Sequence, residues 1–186
     1  ALVGGAALAV SGLEAANPAK KKKAETKEPL KGNVRHSVSK WCFGDYPLEE
    51  FCGICKNIGI ESIELLDPKD WPVVQKHGLT VAMCQGAGLG IDRGFNDPKL
   101  HDELVASYEA VIPQVAAAGL TNLICFSGKR NGLTDLQGWE NCEKGLKRLM
   151  PLAEKHNVVL TMELLNSVGH KDYQCCLLYT SDAADD

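Results

Sequence analysis

Val158-Val-Leu-Thr-Met-Glu-Leu-Leu-Asn166 is an apolar run interrupted by one carboxylate, Glu163, close to its C-terminal end. A short run of aliphatic and β-branched residues without one-face alternation predicts a strand buried on both sides, as in a parallel sheet covered by helices. Upstream, the same kind of run recurs at Val34 to Phe43, Ser62 to Leu66, Thr80 to Cys84 and Asn122 to Phe126. Amphipathic stretches separate these runs, each opening on a helix-start signal. Asp45-Tyr-Pro47 offers a cap and a first-turn proline before a stripe of Leu48, Phe51, Cys52, Cys55 and Ile58 that Gly59 ends. Asp67-Pro68 opens a short helix closing at His77-Gly78, and Asp97-Pro98 a longer one to Gly119 with a kink expected at Pro113. A fourth helix is expected from Thr134-Asp135 to Lys155-His156. Five strands alternating with four helices make an α/β fold with a parallel sheet. A barrel and an open doubly wound sheet share this grammar, and periodicity does not separate them.

The chain has 186 residues, 45% of them hydrophobic, with a net charge of −4, enough for one globular core. Its only dense basic run is Lys20 to Lys23, so it carries no electrostatic footprint for nucleic acid or an anionic membrane. Ala1 to Ala16 is apolar but too short and too rich in Gly and Ala for a transmembrane helix. Residues 1–19 read as the remnant of an export signal, similar to the apolar part of twin-arginine signals, which implies a periplasmic location. Residues 20–33 read as a linker and 34–174 as the folded body. Cys176-Leu-Leu-Tyr-Thr-Ser-Asp-Ala-Ala-Asp185 matches the translation of a transposase adapter, so residues 175–186 are expected to be non-native.

Setting aside Cys175 and Cys176, the cysteines at 42, 52, 55, 84, 125 and 142 show no disulfide framework. Cys52-Gly-Ile-Cys55 lies on the apolar stripe of the first helix, which favours core packing over a zinc or redox half-site. Gly86-Ala-Gly-Leu-Gly90 follows a strand, but the third glycine of a dinucleotide fingerprint would fall on Ile91 and the next helix starts too late. It reads as a flexible loop.

A lone carboxylate inside a buried run costs several kcal/mol unless something pairs with it. For Glu163 the pairing is either a divalent metal or a transferred proton, because the C-terminal strand ends of parallel barrels form their active face, or a structural ion pair with Lys or Arg. Glu64, in the middle of Ser62 to Leu66, poses the same choice between lining a pocket and pairing with a base. Trp41 and Phe43, ending the first run, offer an apolar wall for a small ligand or core packing, and Gln85 a hydrogen-bonding group.

Met162-Glu-Leu-Leu-Asn-Ser-Val-Gly-His-Lys-Asp-Tyr173, with Ser37-Val-Ser-Lys-Trp-Cys-Phe43 and Cys125-Phe-Ser-Gly128, resembles the hydroxypyruvate isomerase branch of the xylose-isomerase-like barrels. The resemblance runs from Val34 to Gln174. It implies part of a (β/α)₈ TIM barrel, which in full takes roughly 250 residues, cut short at both ends. It also implies a sugar isomerase-like enzyme using a divalent metal (Mg, Mn or Zn), with Glu163 as metal ligand or acid/base group. A second carboxylate would stand on a last strand beyond Gln174. The substrate would be a small sugar-like or hydroxy-carbonyl compound, interconverted through an enediolate, and Trp41, Phe43, Glu64, Gln85, Asn166, His170 and Asp172 would line or orient it. The loop after Glu163 departs from the family pattern at Gly169. Other readings of the same fold are an exported sugar epimerase or keto-sugar lyase, or a non-catalytic sugar-binding barrel. An oligomer is compatible with each, and the piece by itself is expected to be inactive.

Overall fold

A computed structural model describes residues 34–165 and 171–174. By internal contacts the chain divides into two units, Ala1–Lys31 and Gly32–Asp186. The expected signal remnant and linker, Asn166, His170 and the expected non-native tail lie outside the described residues.

Four strands form: β1 (Ser37–Ser39), β2 (Ser62–Glu64), β3 (Asn122–Cys125) and β4 (Val159–Met162). β1 pairs parallel with β2 and β3 with β4, and the Thr80–Cys84 segment joins the two pairs through isolated parallel bridges Ser62↔Thr80, Leu66↔Cys84 and Cys84↔Leu123. This segment was expected as a regular strand. It bends instead because side chains replace its ladder partners: Ala82 N–H donates to Ser62 Oγ (2.7 Å), and Asn122 Nδ2 donates to Ala82 O (2.7 Å). The first run also shortens, since Lys40–Phe43 turns into a 3₁₀ helix.

Five α-helices follow the strands: α1 (Leu48–Ile58), α2 (Trp71–Lys76), α3 (His101–Ala117), α4 (Asp135–Lys147) and α5 (Met150–His156). Thr134 forms a capping box with Gln137, and Gly59, left-handed at φ 85°, closes α1. Asp97 caps a short 3₁₀ turn, Pro98–Leu100, that leads into α3. Two start signals resolve differently. α1 begins at Leu48 after Pro47 without a side-chain cap from Asp45, and α2 begins only at Trp71 after Asp70. The expected fourth helix splits in two at Arg148–Leu149, and Pro151 stands in the first turn of α5, where its missing N–H costs nothing. α3 runs through Pro113, whose missing N–H orphans only the carbonyl of exposed Glu109, where water can serve.

The core lies between the sheet and these helices. Trp71, Phe95, Tyr108, Ile112 and Leu123 are buried there; Trp71 Nε1–H donates to Leu66 O (2.8 Å) and the Tyr108 hydroxyl to Ile124 O (2.9 Å). Cys52, Cys55, Cys84, Cys125 and Cys142 are buried, so the Cys52/Cys55 pair is core.

Alternation decides what the other face of the sheet carries. Val38 and Ile63 pack with the helices, so their neighbours Ser37, Ser39, Ser62 and Glu64 fall on the opposite face. Leu123, Cys125, Leu160 and Met162 also belong to the helix side, which puts Thr161 and Glu163 on that same opposite face. Val159, in register with them, is 56% exposed. Helices therefore cover one face only, and the strand order follows the sequence. A doubly wound sheet reverses its order and is covered on both faces, whereas a barrel has this arrangement. Among the described residues the sheet is open at both ends, making the fold a partial, unclosed barrel. Beside β1, Phe43, Tyr46, Ile54 and Ile58 (59% exposed) border an apolar groove of about 320 Å³.

Candidate active site at the mouth of the strands

Glu163 is the first residue beyond β4, and its N–H continues the ladder to Cys125 O (2.9 Å). Its side chain is half-buried, and among the described residues no ion pair involves Glu163 or Glu64. Glu64 is the last residue of regular β2: Leu65 takes φ 60°, an irregularity past which pairing with the Thr80–Cys84 segment resumes at Leu66↔Cys84. Both carboxylates thus stand at C-terminal strand ends on the open face. Three inter-strand steps separate them, roughly 14 Å along the sheet.

A cavity of about 430 Å³ opens at the mouth of the strands, bordered by Asp67, Gln85, Gly86, Gly88, Ile91 and Phe126; neither Glu64 nor Glu163 lines it. Gln85 comes to it from the sequence expectation; Asp67, read from the sequence only as a helix opener, and Phe126 were not foreseen. The signal available was their place at the end of a strand run, Phe126 closing one and Asp67 directly following another. The glycine loop is pinned rather than loose. Gly88 N–H donates to Ser107 Oγ (2.9 Å), and a Cβ on Gly86, at φ 119°, would lie 2.5 Å from Pro68 Cδ.

Trp41 and Phe43 go elsewhere. Trp41 is 73% exposed, while Phe43 stacks on Phe51 at 5.0 Å and borders the apolar groove. Asp172 is exposed, with its carbonyl accepting from Arg130 N–H (2.8 Å).

That bond belongs to a lacing of three successive loops. Phe95 and Asn96 N–H groups donate to the carbonyls of Phe126 and Ser127, and Asn96 Nδ2 donates to Lys129 O (2.6 Å). Asp92 accepts from the Tyr173 hydroxyl and pairs with Lys129 Nζ (3.0 Å), which itself lies over the Tyr173 ring. The hydroxyl and the ammonium together hold the Asp92 carboxyl below its ordinary range. Asp92 in turn raises Tyr173 and Lys129.

The described residues gather no group of three or more His, Cys, Asp or Glu able to hold a metal ion. Glu163 would supply one ligand where a divalent cation needs several, so the described set does not itself compose a metal centre.

No protein-family model matches the sequence, and no curated protein is similar enough to count as a relative. Solved structures do match. An AP endonuclease of family 2 from Brucella melitensis superposes with a TM-score of 0.66 at 18% identity, over 76% of this chain and 59% of that one. A xylose isomerase domain containing protein from Salmonella typhimurium gives 0.55 at 17% identity, over 76% and 52%. The fold shared with these structures is a partial α/β barrel. A 3-keto-D-glucoside 4-epimerase from E. coli gives 0.57 at 16% identity, over 75% and 57%, so this chain spans between half and three fifths of each match. Among its described residues no helix is long and apolar enough to cross a membrane.

Proposed function

We propose that the barrel to which these strands belong is a sugar isomerase-like enzyme acting on a small hydroxy-carbonyl compound of the hydroxypyruvate or tartronate semialdehyde type. The observation that carries this is Glu163: a carboxylate at a strand end, on the open face, without a basic partner among the described residues. Moving a carbonyl to the adjacent carbon requires a base that takes a proton from the hydroxymethyl carbon. The resulting enediolate must be held, and a proton returned to the former carbonyl carbon. Glu163 is the base or its acid partner. Glu64 and Gln85, at neighbouring strand ends, hydrogen-bond the substrate's hydroxyl and carbonyl oxygens. Asn166, His170 and Asp172, which follow β4 in the sequence, orient it. A divalent metal would polarise the carbonyl when bound; the steps above use the chain's own groups. The N-terminal segment's signal-like composition supports export to the periplasm.

A second reading keeps the site and changes the substrate. The E. coli structure with this fold is a 3-keto-D-glucoside 4-epimerase, and proton transfer beside a carbonyl serves epimerisation or keto-sugar elimination equally well. Incubating the full-length protein with hydroxypyruvate and, separately, with 3-keto-glycosides distinguishes them. Conversion of hydroxypyruvate to tartronate semialdehyde supports the first reading. Turnover of the glycosides alone replaces it with the second, and binding without turnover of either replaces both with a sugar-binding barrel.

A further inference from the structure

We propose that the cavity between the loops following β3 and β4 binds a small oxyanion, a carboxylate or phosphate group. It measures about 370 Å³, room for phosphate or a three-carbon acid, and is bordered by Lys129, Arg130, Asn131, Gly132, Lys171 and Asp172. Three cations border it beside the one carboxylate of Asp172, and Asp92 and Asp135 pair with two of them, so a ligand would be held by hydrogen-bond donors rather than by an excess of charge. Lys171 makes no ion pair among the described residues. Lys129 and Arg130 are held by Asp92 and Asp135, but each pairing leaves other N–H donors free to face a ligand.

The backbone adds donors of its own. Arg130 to Leu133 is a type I′ turn: Asn131 and Gly132 have φ 47° and 83°, and Leu133 N–H donates to Arg130 O (2.9 Å). The N–H groups of Asn131 and Gly132 have no partner among the described residues, and both residues border the cavity. Two adjacent amides beside two lysines and a guanidinium suit an oxyanion, which accepts several short charge-assisted bonds. The cavity is also preformed. Arg130 N–H to Asp172 O (2.8 Å) and the Lys129↔Tyr173 bridge fix the two loops against each other before any ligand arrives, and Asn96 Nδ2 to Lys129 O ties the first of them to the preceding loop. Asp172 works against binding, so Lys171 and the turn amides have to outweigh it.

This site stands on the cavity and does not depend on the isomerase reading. The test is amide NMR of the full-length protein titrated with inorganic phosphate and, separately, with acetate, at constant ionic strength made up with chloride. Saturable shifts of the Asn131 and Gly132 amides are expected, and the anion that binds more tightly names the group the site takes. Lys171→Ala should weaken binding by about tenfold, the loss of one charge-assisted contact, and Asp172→Asn should strengthen it. Both positions are exposed, so neither change threatens the fold. Shifts that fail to saturate with either anion, or affinity indifferent to both substitutions, would overturn the proposal.

Discussion

Gln174 fills the space where Gly138 lacks a side chain: a Cβ built on Gly138 would lie 2.0 Å from Gln174 Cδ. Gln174 is 1% exposed, its N–H donates to Gly128 O (2.8 Å), and its carbonyl accepts from the Ser127 hydroxyl. A notch in α4 thus anchors the end of the loop that follows Glu163. Gly138→Ala should expel Gln174 and destabilise the protein by about 1–3 kcal/mol, the usual cost of overpacking, despite the better helix propensity of alanine. Chemical denaturation measures the loss, and hydrogen exchange at residues 127–131 should quicken. Unchanged stability with unchanged exchange would mean the notch anchors nothing.

Gly94 and Gly53 make a contrast. A Cβ at Gly94 would meet the Phe126 carbonyl oxygen and Ser127 carbonyl carbon at 2.3 Å, both backbone atoms that cannot rotate away. At Gly53, within α1, nothing lies within 4 Å. Gly94→Ala is therefore expected to cost more stability than Gly138→Ala, and Gly53→Ala to add about 0.5–1 kcal/mol. A thermal melt of the three variants gives the order.

Alkali should unfold the protein through its buried thiols. Burial pushes Cys84 from 9.0 up to about 12 and raises Cys52 and Cys55 as well. The folded state keeps a proton that the unfolded chain releases, so this contribution is intact below pH 9 and declines as pH rises from 9 towards 12. The slope per fully shifted thiol is at most about 1.4 kcal/mol per pH unit. Denaturation midpoints at pH 8 and pH 10 should fall accordingly, and Cys84→Ala should flatten the decline. Exposed Cys42 should react with a thiol reagent in the native state while Cys84 stays protected.

Tyr173→Phe removes the hydroxyl that donates to Asp92. The Asp92 carboxyl should then titrate closer to the ordinary range, as followed by carboxyl-carbon NMR. In the wild type the tie is present above the ordinary carboxylate range and is lost as pH falls through the depressed value of Asp92. An identical titration in both proteins would show that Lys129 alone sets it.

Much of the frame was legible because local chemistry and tertiary fold agree: Thr134 with Gln137 marks the start of α4, and Gly59 the end of α1. What misled was competition from distant groups. Thr80 to Cys84 has strand composition, but Ser62 and Asn122, far along the chain, take the backbone bonds of Ala82. The Leu65 backbone, not the run Ser62 to Leu66 itself, makes Glu64 a strand end. Phe43 sits after a strand as a site residue would, yet the Phe51 ring draws it to the groove beside β1. The lacing of Asp92, Lys129 and Tyr173 left no pattern in the sequence, because it joins loops that meet only when the strands are parallel and in order.

The most direct measurement is deuterium uptake from solvent into hydroxypyruvate held with full-length protein, wild type against Glu163→Gln. If this strand-end carboxylate moves the proton, the wild type should wash deuterium into the hydroxymethyl carbon, and the variant should lose that exchange by about a hundredfold or more while keeping its fold. Exchange at the wild-type rate in the variant would contradict the account.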